Sequence, residues 1–366
     1  MKNKKAPKNI SILITSLEGG GAERVLTNLA NEFASRNYQV EFALFKKKGV
    51  FINQVSKKVS IVPLELNIKF GKLISFFKYL RNKKPDIVIS SLEVNNLIAI
   101  ISKLLSFSKS KLIIRVENPL SVPNRSKPKK FIERLLLSIL YRFADEIIAV
   151  SNGVADDLAK FAFINRKRIS VIYNPIINAD LLNKKTEANQ DTRFSSDPSP
   201  LILGIGRLTQ SKNFSNLIQA FAIIIKQRPA RLIILGEGEQ RRDLEKLIKQ
   251  LNLEEFAKLP GFVDNPYAYL MNADVFALSS NWEGLPTVLI EALACGTKVV
   301  STDCNYGPRE MLKNGEYGII VPVNDPQLLA EAVLKTLEEK FERSIPADWL
   351  EQFTARYCAI KISNLF

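Results

Sequence analysis

The chain contains no histidine, so no imidazole serves it as acid, base or metal ligand. Cysteine is scarce: Cys295, Cys304 and Cys358 are too few and too gathered toward one end for a disulfide framework, which fits a reducing compartment. No uninterrupted apolar run reaches the roughly 18 residues that a membrane-spanning helix needs. The early run from Ile10 to Leu17 is also too short for a secretion signal with its cleavage site, and reads as a first β-strand. The expectation is a cytoplasmic protein that can touch a membrane without crossing it. Internal repeats of solenoid length and low-complexity tracts are missing as well, which excludes a repeat array.

What the chain has in excess is positive charge, and only in one half. Residues 1–180 hold 31 Lys and Arg against 14 Asp and Glu, whereas the remainder holds 21 against 23. General lysine enrichment would not spare the second half, so the asymmetry points to an anionic partner facing the first, either nucleic acid or acidic lipid head groups.

A length of 366 residues suggests two domains, and the text alternates short β-branched runs with longer amphipathic stretches. Strand-like segments fall at 10–17, 39–45, 87–92, 111–117, 146–151 and 169–175, then at 201–207, 230–238, 257–262, 274–280, 298–303 and 318–323. Helical patterns separate most of them, which predicts parallel-sheet α/β architecture. The polar stretch 179–200, rich in Ser, Asp and Asn, reads as a linker. The expected organisation is a first domain over 1–178, a second over 201–345, and a segment at 346–366 that crosses back to pack on the first.

Three constellations carry chemistry. The first strand runs into Gly19, Gly20 and Gly21 ahead of a helix, either a phosphate cradle at a helix N-terminus or a tight turn with no ligand. The first strand of the second domain ends in Gly204-Ile205-Gly206-Arg207, with Lys212 five residues on. Two cations so placed suit a diphosphate, or else are solvated loop residues. Asn281 to Thr297 is the sharpest: Glu283 lies in a strand-end loop and Glu291 in the helix that follows Pro286, with the N–H groups of Thr287 and Val288 open to an anion.

In order, GIGRLTQSKN (204–213), LIILGEGEQRRDLE (232–245), LPGFVDN (259–265) and the Glu283-to-Glu291 element resemble the retaining GT-B glycosyltransferases of family 4. The N-terminal GGGAERVLTNLANEF and the later STDCNYGPREML are similar to the bacterial branch that adds hexoses or N-acetylhexosamines to lipid-linked glycan precursors. The resemblance implies two Rossmann-like domains facing a cleft, with a nucleotide-sugar donor, UDP-linked in that branch, held by the second. It implies no cofactor and no metal, the departing phosphate oxygen taking the acceptor's proton on the front face. Arg207 and Lys212 would then bind the diphosphate, with the backbone of Gly206 beside them. Glu283 would hold the sugar hydroxyls with Gly284, Leu285 and Pro286 alongside, and Thr287 and Val288 would meet the phosphate. Glu291 would bind the ribose, while Gly20 and Gly21 would close over the diphosphate.

One departure is the missing histidine, which many family members place near the donor sugar. The matching strand end reads Arg115-Val116-Glu117-Asn118-Pro119, so Glu117 and Asn118 either contact a donor or acceptor hydroxyl or cap the loop. Asp156-Asp157 reads as part of an exposed helix. The basic, aromatic stretches 69–85 and 126–143 either lie in an anionic membrane interface, meeting a polyprenyl-diphosphate-linked acceptor on the inner face of the cell membrane, or cover the sheet. An inactive scaffold of the same shape is disfavoured by the joint presence of Arg207, Lys212, Glu283 and Glu291. A nucleic-acid binder lacks any recognisable module, leaving no nucleic-acid partner expected.

Overall fold

A computed structural model of the protein describes residues 8–18, 20–64, 71–121, 127–177, 181, 198–339 and 345–366. Gly19 and most of the expected linker at 179–200 lie outside them, and of residues 127–133 only the side chain of Ile132 is described. The chain divides into two compact units: Met1–Ile176 with Gln352–Phe366, and Ile177–Glu351.

The first unit is built on strands β1 (Asn9–Ile14), β2 (Gln39–Leu44), β3 (Val59–Pro63), β4 (Ile87–Ser91), β5 (Lys111–Val116), β6 (Glu146–Ala149) and β7 (Ile169–Val171). They form one sheet in the order β3-β2-β1-β4-β5-β6-β7, every pairing parallel. Ile10 to Ile14 are all buried, because helices cover both faces of a parallel sheet and its strands need apolar residues on both sides. The helix Gly21–Ser35 contributes Leu26, Leu29 and Phe33 to the core, beside Ile12, Phe42, Ile89 and Ile113. The C-terminal helix Ala355–Ser363 completes this core through Cys358, Ala359 and Ile362. Its start is fixed by Thr354, whose hydroxyl accepts from the amide of Tyr357 at 3.2 Å, a cap worth about 1 kcal/mol.

The second unit repeats the plan with β8 (Leu201–Ile205), β9 (Arg231–Leu235), β10 (Ala257–Gly261), β11 (Val275–Leu278), β12 (Lys298–Thr302) and β13 (Ile319–Val321). Their order is β10-β9-β8-β11-β12-β13, again all parallel. Ile202, Leu217, Phe221, Ile234, Val300 and Val333 lie in its core. Trp349 packs edge-on against Tyr317 at 5.1 Å.

In both sheets the strand order reverses once, between β1 and β4 and between β8 and β11. At such a reversal the connections leave to opposite sides, opening a crevice at the carboxyl ends where ligands of α/β proteins bind. The site residues expected from the sequence follow these strands or the neighbouring β5.

Candidate functional site

In the second unit the loops after β8 and β11 meet. Lys212 Nζ donates to Glu283 Oε1 at 2.6 Å, and the Ser280 hydroxyl donates to the same oxygen at 2.6 Å. The lysine stem lies along Gly206, where an added Cβ would stand 3.3 Å from Lys212 Cδ and Cε. Beneath the pair, Asn213 adopts the left-handed conformation, with φ 47° and ψ 48°. Its buried amide nitrogen donates to Asn281 Oδ1 at 3.0 Å and to Asn324 Oδ1 at 2.8 Å, joining the loops after β8, β11 and β13. Ser279 secures the lysine backbone, its hydroxyl donating to Lys212 O at 2.9 Å. Burial, and after it the nearby Glu283 carboxylate, pushes the Cys304 thiol well above the usual range, so this cysteine stays protonated and inert.

Arg207 is exposed, and its side chain makes no hydrogen bond or ion pair with another described residue. Its loop is set by close backbone approach: an added Cβ at Gly236, with φ 133°, would stand 2.0 Å from Gly206 O, so only glycine fits there.

The helix Thr287–Cys295 begins at Pro286 with no side-chain cap and no acidic residue in its first turn. The N–H groups of Thr287 and Val288 thus sit at an uncapped positive helix end. Gly284, Leu285 and Pro286 are buried beneath it. Glu291 is buried too, and its Oε1 accepts from the Tyr267 hydroxyl at 3.2 Å.

In the first unit Glu117 and Asn118 line a cavity of about 230 Å³ with Leu92, Glu93, Asn96 and Tyr141. Glu117 Oε1 accepts from the Ser91 hydroxyl at 2.8 Å and from Arg115 Nε at 3.1 Å. Asn118 is exposed. Gly20 lies at the start of the helix Gly21–Ser35 under the Glu23 carboxylate, which an added Cβ would meet at 2.2 Å, whereas Gly21 faces open space. The Glu23 carboxylate can swing aside and Gly20 sits at φ −87°, so crowding demands glycine at neither position.

Several readings change. Asp157 is buried, not exposed: it shares the inner face of the helix Asn152–Phe161 with Val154 and Leu158, and its carboxylate accepts from the amides of Leu120 and Ser121. Of the two basic stretches, the helix Gly71–Lys83 buries Phe76 and Tyr79, so these two aromatic residues serve the core. The helix Lys127–Leu140 instead exposes Ile132, Leu135, Leu136 and Ile139. Sequence reasoning missed Ser91, Arg115, Asn213, Ser280 and Asn324. Ser91 and Ser280 carried a local signal, each in a Ser-Ser pair at the end of its strand, β4 or β11, and Arg115 stood in the strand-end motif without a role assigned to it.

Comparison with known proteins agrees with this geometry. Residues 185–351 match the family model described as Glycosyl transferases group 1, and residues 19–178 match that of Glycosyltransferase Family 4. The chain is 33% identical over 344 residues, 91% of each chain, to the N-acetylgalactosamine-N,N'-diacetylbacillosaminyl-diphospho-undecaprenol 4-alpha-N-acetylgalactosaminyltransferase of Campylobacter jejuni. A second transferase of that organism, the alpha-1,4-N-acetyl-D-galactosaminyltransferase of GalNAc-alpha-(1->4)-GalNAc-alpha-(1->3)-diNAcBac-PP-undecaprenol, is 29% identical over 354 residues, covering 92% of this chain and 91% of its own. Among solved structures, Anabaena HepE in complex with UDP superposes with a TM-score of 0.79 over 98% of both chains at 20% identity, which supports the GT-B fold.

Proposed function

This chain belongs to the family 4 glycosyltransferases of GT-B fold, and from that premise we propose that it moves a hexose or N-acetylhexosamine, with retention, from a UDP-sugar to a lipid-linked saccharide. The observation that carries the proposal is the contact between Lys212 and Glu283 at the β8/β11 reversal, beside the uncapped helix Thr287–Cys295. A cation, a carboxylate and free amide N–H groups converge there, the set a sugar diphosphate requires.

In the reaction, the bond from the anomeric carbon to the donor phosphate oxygen breaks, its electron pair leaving with the diphosphate. The acceptor hydroxyl oxygen bonds to the same face of that carbon, and its proton passes to the departing phosphate oxygen. Negative charge thus grows on the diphosphate, and Lys212, Arg207 and the amides of Thr287 and Val288 are the groups that stabilise it. Preorganised charges of this kind give the largest single contribution in such reactions. Glu283 accepts from donor-sugar hydroxyls, Glu291 from the ribose, and Glu117 and Asn118 face the acceptor. No side chain need act as general base, no cofactor is called for, and metal-independent transfer follows from the cationic diphosphate site.

The names of the Campylobacter relatives, which include diphospho-undecaprenol and PP-undecaprenol, support a lipid-linked acceptor. Such an acceptor puts the protein at the inner face of the cell membrane. The exposed apolar face of the helix Lys127–Leu140 suits that surface, and among the described residues no helix is long and apolar enough to cross it.

A thermal-shift panel of UDP, GDP, ADP, TDP and CMP tests the donor class, since a ligand of the folded state raises its melting temperature. We expect UDP to stabilise the protein and Lys212→Ala to remove the shift. Stabilisation by another nucleotide alone, or by none, would overturn the donor assignment.

A further inference from the structure

Arg115 is fully buried at the end of β5, among the bulkiest side chains with no exposure in the described residues. Its neighbours on the strand, Ile113, Ile114 and Val116, are apolar, so the sheet itself asks for no charge here. A guanidinium withdrawn from water persists only where partners offset its desolvation, and this one has two. Nε donates to Glu117 Oε1 at 3.1 Å, and Nη2 donates to Asn174 Oδ1 at 2.7 Å. Asn174 is itself buried, two residues before the first unit is left at Ile176.

Both described contacts of the Glu117 carboxylate fall on one oxygen. Oε1 receives Arg115 Nε from β5 and the Ser91 hydroxyl from β4, while Oε2 bonds to no described residue. Beside Ser91, Leu92 is held at φ 73° and ψ 139°, a conformation that a side-chain-bearing residue sustains only where its surroundings over-determine it. The corner therefore fixes one oxygen of Glu117 from two strands and leaves the other to face the cavity.

We propose that Arg115 is a positioning residue for Glu117. Arg115 lies in the cavity wall, but its side chain has no exposed surface, so it touches no substrate. It holds the carboxylate at one rotation, so that Oε2 accepts the hydrogen of an acceptor-sugar hydroxyl. The guanidinium is suited to this because its fork serves Glu117 and Asn174 together, which an ammonium cannot do in the same geometry. The inference rests on the acceptor role given to Glu117 above.

A double-mutant cycle on the full chain separates the two ideas, with UDP-N-acetylgalactosamine as donor and a polyprenyl-diphosphate-linked N-acetylhexosamine as acceptor. Glu117→Gln and Arg115→Met are each expected to lower kcat/KM for the acceptor by about 10²-fold, the scale of loss that misplacement produces, with KM for the donor unchanged. Because one acts through the other, the double variant should be no worse than Glu117→Gln alone. Losses that multiply, or a wild-type Arg115→Met, would overturn the positioning role. A wild-type Glu117→Gln would instead remove the acceptor role of Glu117, and the inference with it. If Arg115→Met does not fold, Ser91→Ala removes the other anchor of Oε1; a smaller loss, absent in the Glu117→Gln background, supports the same corner, and a multiplying loss rejects it.

Discussion

Each unit pairs one cation with one glutamate at a strand end, and the two pairs are built for opposite purposes. Lys212 and Glu283 lie 71 residues apart, touch at 2.6 Å, and keep the lysine partly open to solvent. Arg115 and Glu117 are two residues apart on one strand end, and the arginine is sealed. An accessible ammonium on a flexible stem can turn from its carboxylate to an arriving phosphate; a buried guanidinium bound on two sides cannot turn at all. The comparison separates a pair that a ligand is meant to open from a pair that aims a side chain.

The largest effect should come from the accessible pair. Lys212→Ala and Glu283→Ala are each expected to lower kcat/KM by about 10³-fold, the upper range for removing one preorganised electrostatic contact. Both should keep a cooperative melting transition, because neither residue belongs to an apolar core cluster. Turnover near wild type in either variant, measured with a matched donor, would break the comparison at its stronger end.

Next comes the support of that pair. Asn213 combines a left-handed backbone with an amide that joins three loops. Asn213→Gly keeps the backbone free to adopt φ 47° and removes only the amide, whereas Asn213→Ala adds conformational strain. If the amide positions Lys212, both variants should lose roughly tenfold in kcat, as expected for a displaced catalytic cation, with the alanine variant also melting lower. Recovery of full kcat by Asn213→Gly would show that the backbone conformation alone matters.

The two corners also differ in how far the sequence announced them. The fold was legible because most strands are apolar runs closed by a turn signal. β3 (Val59–Pro63) escaped notice as a short edge strand ending in proline, and β7 (Ile169–Val171) stops earlier than the run to Pro175 suggested. Lys212, Glu283 and Glu291 stood inside contiguous motifs, each readable from its own loop. The first corner is assembled from positions 91, 115, 117 and 174, which the parallel order β4-β5-β6-β7 brings together. No local window contains that set, so Glu117 was visible as a candidate while the residues that aim it were not. Burial misled in the same way: Asp157 looks like a surface acid by type, yet its helix register turns it inward.

The smallest effect on turnover belongs to a third region, where two helices of similar composition face opposite ways. Gly71–Lys83 turns Phe76 and Tyr79 into the core, with the Tyr79 hydroxyl bonded to Ser11 Oγ at 2.7 Å. Lys127–Leu140 turns Ile132, Leu135, Leu136 and Ile139 outward, a spacing of three, four and seven that forms one stripe. Exposed Phe143 and Phe163 accompany it, and Arg134 stacks over the Phe163 ring at 4.0 Å. An apolar stripe among basic residues is the pattern of a helix lying in an anionic interface, where each basic residue adds roughly 1 kcal/mol. Leu135→Ser with Ile139→Ser should therefore lower binding to phosphatidylglycerol vesicles by about tenfold, since each side chain loses part of the 1.5–3 kcal/mol that full burial provides. Melting temperature and turnover of a short-chain acceptor should stay as they are, because neither side chain is in the core. Unchanged vesicle binding would assign the stripe to something other than lipid, and a lowered melting temperature would show that the helix covers the sheet more tightly than its exposure indicates.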